Sequence, residues 1–573
     1  MPRGSSRGIT LLFLIQYRRV KGRAACVFSS SFPVTIPLFK PGVIIPLEGA
    51  AWMEGGEIGH RAETAKPGRE TRDSSTQTES RVQGHGPRLS RVNLFTLLSL
   101  WMELFPQEQQ EEDETSQIRG MGLVVVQDSK VVGFHFSGVE LHAGQAAIIQ
   151  HGSCLADCQL YFSRRPCATC LKMIINAGVS QISFWPGDPE VSVLKTTSRD
   201  HLHTHSHSQL VCITEEAVLD AVATETLKSN SRPHICVLLQ PLAPALAQFI
   251  EETSRDCDFM DKVADDEPGL NTKELFNRER LRHVKNFSKQ FLVEVPQQHQ
   301  EILMHMGLDN YCVEPYFSNL RHNMRELVEV LATVTAGVPL QHHGFYREQC
   351  STPEPSLSRS FLPPHCEGVS QEVARHCIIQ ARLLAYRTED PKVGVGAVIW
   401  ARGLTAGSAG MGSLSLVGCG YNAYPVGSQY AEYPQMDTKQ EDRHRRKYRF
   451  IVHAEQNALT FRARDIKAGE PTMLFVTKCP CDECVPLMRG AGITHIYTTD
   501  QDRNKNKGDI SYLRFSSLND ISKLTWQRSP SISSSPSHIA NGGVGKHSRQ
   551  TEQSSYTNKR LCINRVHDSP SVS

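Results

Sequence analysis

No apolar run in these 573 residues reaches the roughly 18 to 20 residues that a membrane-spanning helix needs, so no membrane segment is expected. A one-sided charge is missing too. Lys and Arg number 62 against 60 Asp and Glu, for a net +2. That balance argues against an extended nucleic-acid footprint and leaves room for a local phosphate pocket. Nor is there the compact cysteine framework of a short secreted domain. The 17 cysteines are scattered along a long chain, and reduced thiols, some of them on metal, are the expectation. Acidic residues are absent before Glu48, and the N-terminal ITLLFLI is followed by QYRRVKGR, a poor secretory leader. An Arg-rich mitochondrial presequence and a poorly ordered extension are the two readings left, and the extension is preferred.

What is present organises into two domains with tails and a linker, as the length alone suggests. Residues 54–87 are rich in Gly, Arg, Glu, Ser and Thr with little to bury, which reads as disorder. RLSRVNLFTLLSLWMELFP follows, with Leu94, Leu97, Leu98, Leu100, Trp101, Leu104 and Phe105 at helical spacing. It is read as a helix packed on its own domain or on a second subunit; a leucine-rich nuclear export signal is the other reading.

Two stretches then repeat each other. GLVVVQDSKVVGFHF (a strand pair), LHAGQAAIIQ (helix), LADCQLYFS (strand), CATCLKMIINAG (helix) and VSQISFWP (strand) form the first. VGVGAVIWARG, LVGCGYN, HAEQNALTFRAR, TMLFVT, CDECVPLMRGAG and ITHIYTTD follow the same order later. PCATCLKMIINAGVSQI from Pro166 and PCDECVPLMRGAGITHI from Pro480 share Pro-Cys-x-x-Cys, an Ala-Gly helix stop and a β-branched strand, the mark of an internal duplication. The expected domains are an extension (1–87), a degenerate copy (88–240), a mostly helical connector (241–365), a complete copy (366–526) and a disordered basic tail (527–573). In the tail, Lys546, Arg549, Lys559 and Arg560 make a loose two-part basic cluster. It reads as a nuclear import signal or as a solvated tail.

In the later copy, His453, Cys481 and Cys484 offer one imidazole and two thiolates, a three-ligand set for zinc that leaves a fourth tetrahedral position for water. Each lies at the start of an expected helix, where the positive end of the dipole favours thiolates. Cys479 as a fourth ligand would instead make a closed structural site, but that leaves Glu455 without a purpose. Two residues after the ligand, the Glu455 carboxylate can take a proton from the activated water and return it to a leaving amine. Such an arrangement suits hydrolytic deamination of an amino-substituted aromatic ring.

The H-x-E and P-C-x-x-C pair resembles the zinc-dependent cytidine and deoxycytidylate deaminases, in full over roughly residues 370–515 and in degraded form over 120–240. The resemblance implies an α/β class with two cytidine-deaminase-like α/β/α sandwich domains, each a mixed sheet flanked by helices. It implies action on free deoxycytidine nucleotides, with dCTP or dCMP leading and cytidine as another substrate, and assembly into homo-oligomers. His453, Cys481 and Cys484 match the family's zinc ligands and Glu455 its proton shuttle. CGYNAYP matches the stretch whose Asn reaches the sugar, here Asn422, and DPKVGVGAV brings Val395 and Ala397 to the ring. Ala454 completes the implied substrate contacts. Ala423 stands where the family commonly has Gly. The run Arg445, Arg446, Lys447 is read equally as phosphate-binding or as a solvated loop.

In the earlier copy His142, Cys167 and Cys170 keep the ligand pattern, and a second, non-catalytic zinc is expected. Gly144 stands where the acid should be, and Gln145 beside it cannot ionise. The expectation is a zinc-stabilised copy without catalysis, serving as an oligomer surface in preference to a regulatory nucleotide site. The tract HLHTHSHS (201–208) is read as a solvated insertion. A polynucleotide deaminase and a nonenzymatic zinc scaffold are the competing functions. Cytoplasm with nuclear passage is the expected location, with import and export receptors as the partners that it implies.

Overall fold

The computed structural model describes residues 88–106, 120–138, 141–190, 215–266, 269, 271–347, 368–388, 394–403, 414–426, 447–499 and 510–530. The first copy runs α1 (Arg91–Glu103), β1 (Gly122–Gln127), β2 (Lys130–Phe136), α2 (Ala143–His151), β3 (Gln159–Phe162), α3 (Ala168–Asn176), β4 (Gln181–Phe184), α4 (Glu215–Asn230) and β5 (His234–Cys236). The linking helices are α5 (Pro244–Arg255), α6 (Asp258–Asp266), α7 (Thr272–Phe291), α8 (Pro296–His305) and α9 (Tyr316–Ala336), followed by β6 (His343–Arg347). The second copy is α10 (Gln371–Ala385), β7 (Gly396–Arg402), β8 (Leu414–Tyr421), α11 (Ala454–Thr460), β9 (Thr472–Val476), α12 (Cys484–Ala491), β10 (His495–Thr498), α13 (Leu513–Ser516) and β11 (Ser522–Arg528).

The duplication is written in the sheets. The first has order β2-β1-β3-β4-β5 and the second β6-β11-β10-β9-β7-β8. In each, one antiparallel hairpin leads to an antiparallel neighbour and then a parallel run, β3-β4-β5 or β9-β10-β11. Even the register shift recurs, between Val125 and Val126 and between Ile399 and Trp400. Gly122 and Gly396 open the matching strands because a helix backbone presses on both. A Cβ on Gly122 would meet Ser99 O of α1, and one on Gly396 would meet Ala381 O of α10.

The connector is mostly helical, and its HGFYR stretch forms β6, which pairs antiparallel with β11 and extends the second sheet. One expectation is corrected. HAEQNALTFRAR is helical only to Thr460, after which Ala463 N–H donates to Val417 O and the chain turns away. The leucine-rich segment is a packed helix. Ser90 Oγ accepts Asn93 N–H at its start, and Asn93 through Met102 are buried. Apolar residues on every side suit a helix enclosed by protein.

Alternation along the second sheet sorts its faces. Val398, Trp400, Met473 and Phe475 join the core shared with α1 and α10, whereas Ala397, Ile399, Leu474 and Val476 join a second core with Ala454, Ala458, Cys481 and Cys484. The helices that carry the motif residues therefore rest on the face turned away from the first copy. Among the described residues, no helix is long and apolar enough to cross a membrane. Arg445, Arg446, the histidine tract and the basic tail lie outside the described residues, as does the N-terminal extension.

Candidate metal centres and active site

His453 caps α11: its own N–H donates to Gln456 Oε1 at 2.9 Å, and its carbonyl accepts from Asn457 N–H at 2.9 Å. This cap aims the ring at the start of α12, where Cys481 O accepts from Cys484 N–H. His453 Nδ1 lies 3.3 Å from both Cys481 Sγ and Cys484 Sγ, and the sulfurs are 3.8 Å apart. Zinc bonds of about 2.0 to 2.3 Å imply tetrahedral edges of about 3.3 to 3.8 Å, so the donor set fits that ion. Contact with the Cys484 thiol, reinforced by His453 against the opposing effect of burial, holds Cys481 down to about 4, and the same contact pushes Cys484 up. Cys479 is not part of the group; its Sγ donates to Thr499 O.

Glu455 is buried beside these groups, 4% exposed. Burial pushes its carboxyl up to about 7, partly offset by His453. A carboxyl poised near neutrality both accepts and releases protons, as general acid–base work requires. Ala454 is fully buried between the ligand and this acid.

The described residues on either side of the stretch ahead of the site are held by hydrogen bonds. Asn422 is buried, its Oδ1 accepting from Val395 N–H at 2.8 Å and Thr388 Oγ1 at 2.7 Å. Ala423 exchanges backbone hydrogen bonds with Val452, next to His453. Ala397 is buried in β7 opposite Val476. Asn422, just after β8, is thus tied to Val395, just before β7. Lys447 begins the short turn Lys447–Arg449.

The first copy repeats the geometry and adds to it. His142 Nδ1 is 3.4 Å from Cys167 Sγ and 3.6 Å from Cys170 Sγ. Gln145 Oε1 accepts His142 N–H at 3.0 Å, exactly the part Gln456 plays in the second copy. Both glutamines are helix caps that the motif spacing conceals. A fourth group, not foreseen from sequence, enters here. Glu190 Oε1 lies 3.1 Å from His142 Nδ1, and Glu190 Oε2 accepts Cys167 N–H at 3.1 Å. Hydrogen bonding to Cys167 and to Glu190 raises His142 to about 10. At Gly144, the position of Glu455 in the second copy, a Cβ would lie 3.0 Å from Cys170 Cβ and 3.1 Å from its Sγ.

Two mixed α/β sheets, each holding a His-Cys-Cys cluster between helix ends, define a doubled metal-site protein. The family model described as the cytidine and deoxycytidylate deaminase zinc-binding region matches residues 97–185 and 371–499. A Danio rerio protein named cytidine and dCMP deaminase domain-containing protein 1 is 57% identical over 459 residues, covering 80% of this chain and 93% of its own. Deoxycytidylate deaminase of Homo sapiens is 31% identical over 137 residues, 24% of this chain and 69% of its own. The dCMP deaminase of cyanophage S-TIM5, crystallised with dCMP and dUMP, is 24% identical with a TM-score of 0.17, covering 23% of this chain and 84% of its own. This chain belongs to the zinc-binding cytidine and deoxycytidylate deaminase family, and zinc is the metal that its two clusters fit.

Proposed function

We propose that the second copy catalyses hydrolytic deamination of cytosine in a free deoxycytidine nucleotide, dCTP or dCMP, giving the uracil nucleotide and ammonia. One observation carries this reading: a buried, near-neutral carboxyl, Glu455, sits beside the His453-Cys481-Cys484 cluster. When bound there, zinc supplies the Lewis acidity that makes water a usable nucleophile near neutral pH. Glu455 would take one proton from the attacking water and deliver it to the ring nitrogen; it would then take the proton of the hydroxyl added at the ring carbon and pass it to the amine, so that the carbonyl forms as the C–N bond breaks and ammonia leaves. Asn422 and the backbone at Val395 and Ala397 hold sugar and base, while Arg445, Arg446 and Lys447 meet the phosphates. The first copy, with Gly144 in place of the acid, contributes a second zinc and a surface for self-assembly.

The test is ammonia release by the full chain offered cytidine, dCMP, dCTP and a cytosine-containing single strand in parallel. Glu455→Gln is expected to lower release from a free nucleotide by about 10²–10⁴-fold, the usual weight of acid–base catalysis, while zinc content is retained. Activity confined to the strand would move the protein to polynucleotide editing. Release unaffected by the substitution would leave a zinc scaffold.

A further inference from the structure

We propose that Glu190 is the fourth protein ligand of the first copy's zinc, making that centre closed and purely structural, with no coordination position for water or for a substrate base. The inference rests on the reading that this cluster holds zinc, and it adds the ligand that decides what the metal is for.

Three groups converge on one atom. His142 Nδ1 has a single lone pair or a single N–H to offer, yet Glu190 Oε1, Cys167 Sγ and Cys170 Sγ stand 3.1, 3.4 and 3.6 Å from it. A lone histidine–glutamate ion pair has no need of two thiols on the same nitrogen. An ion bonded to all four does, because tetrahedral N–O and N–S edges are about 3.3 to 3.6 Å. The four donor atoms all lie within 4.8 Å of one another.

The carboxylate is also held where it is. It follows β4 on a turn that the linking helices grip: Trp185 Nε1 donates to Phe291 O at 2.8 Å, and the His299 ring bonds Pro186 O at 2.7 Å. Its second oxygen accepts the Cys167 N–H that opens α3. Such hydrogen bonding of a ligating carboxylate is the ordinary means of fixing its approach. Meanwhile the space on the other side has closed. A side chain at residue 144 would crowd Cys170 and Ile174, with its Cβ 3.0 to 3.1 Å from them, so the position used by Glu455 in the second copy is tight here. Loss of the shuttle and gain of the ligand are two halves of one conversion, from an open site to a sealed one.

Cobalt(II) is the probe, because its visible absorption reports coordination number and exchangeable positions. The full chain carrying Cys484→Ser, which disables the second cluster, is stripped and reloaded with cobalt(II). Four-coordinate, sulfur-containing bands that do not respond to azide are expected. Adding Glu190→Ala should make the spectrum azide-responsive and speed metal transfer to a chelator at least about 10-fold, since even outer partners are worth about 10–100-fold in affinity. Should Cys484→Ser fail to fold, zinc release from the otherwise intact chain serves instead. It should be biphasic, and Glu190→Ala should abolish the slow phase. An azide-sensitive spectrum with Glu190 present, or release indifferent to Glu190→Ala, overturns the proposal while leaving zinc in place. No metal at all in the first centre overturns the zinc reading with it. Neither result touches Glu455-dependent ammonia release, which tests the second copy alone.

Discussion

Five imidazoles, those of His135, His151, His283, His299 and His376, sit where burial makes a proton costly. Burial holds His151 down to about 4 and His283 to about 3, and drives His135 and His376 well below the ordinary range, with His151 adding to the effect on His135 and Arg375 to that on His376. Their folded values lie below the unfolded value near 6.5, so below that pH the unfolded chain binds more protons. Stability from these groups is complete above about pH 6.5 and is lost as the pH falls towards 4, at up to about 1.4 kcal/mol per pH unit for each histidine. His376 isolates the effect, its ring stacked on Trp101 at 4.4 Å. His376→Phe keeps a stacking ring and removes the proton site. Urea unfolding at pH 7 and pH 5.5 should show a smaller loss than in the wild type, and an equal loss would refute the assignment. The conversion of the first site makes a second prediction at this scale. Gly144→Glu placed in a Glu455→Gln chain should not restore ammonia release, because the new side chain meets Cys170 before it reaches any substrate.

Between elements, a tight joint near the site is where β8 passes under α11. A Cβ on Gly420 would lie 2.6 Å from Ala458 N and 2.8 Å from Ala454 O. Gly420→Ala must therefore push the helix that carries His453 and Glu455, and overpacking of this kind costs about 1–3 kcal/mol. Because misplacement of about 1 Å costs up to about 10²-fold in rate, kcat should fall by about 10-fold or more while zinc stays bound. Steady-state kinetics with a metal count checks this, and unchanged kcat counts against the joint. The same joint shows what a sequence reader could and could not see. His453, Cys481 and Cys484 were legible because their spacing is dictated by two helix starts, and the duplicated strands were legible because both copies repeat them. Glu190 was not: an isolated acid after WPGDP carries no periodicity, and only the fold returns it to Cys167. The strand HGFYR was hidden by its helical neighbours and its shortness, and the end of α11 by helix-forming residues that tertiary hydrogen bonding overrides.

At the scale of the whole molecule the two copies do not stand apart. Trp400, from the second, lies 6.0 Å from Phe134 and 5.9 Å from Phe105 of the first, centroid to centroid. Trp101 Nε1 donates to His376 O, Leu89 N–H donates to Tyr386 O, and Arg387 Nη1 donates to Leu89 O. Lys130 lies over the Phe461 ring at 4.1 Å, one residue beyond the end of α11. One apolar core runs from α1 through α10 into the second sheet, so the first copy supplies part of the wall on which the second sheet rests. A shared core predicts shared unfolding. Calorimetry should give one transition with calorimetric and van't Hoff enthalpies in agreement. Phe134→Ala, far from the second cluster in sequence, should lower that single midpoint, since truncating a buried aromatic costs about 3–5 kcal/mol. Two separable transitions, or a shift confined to one of them, would show that the copies are independent domains. A single shifted transition would mean that the second sheet depends on the first copy to complete its core.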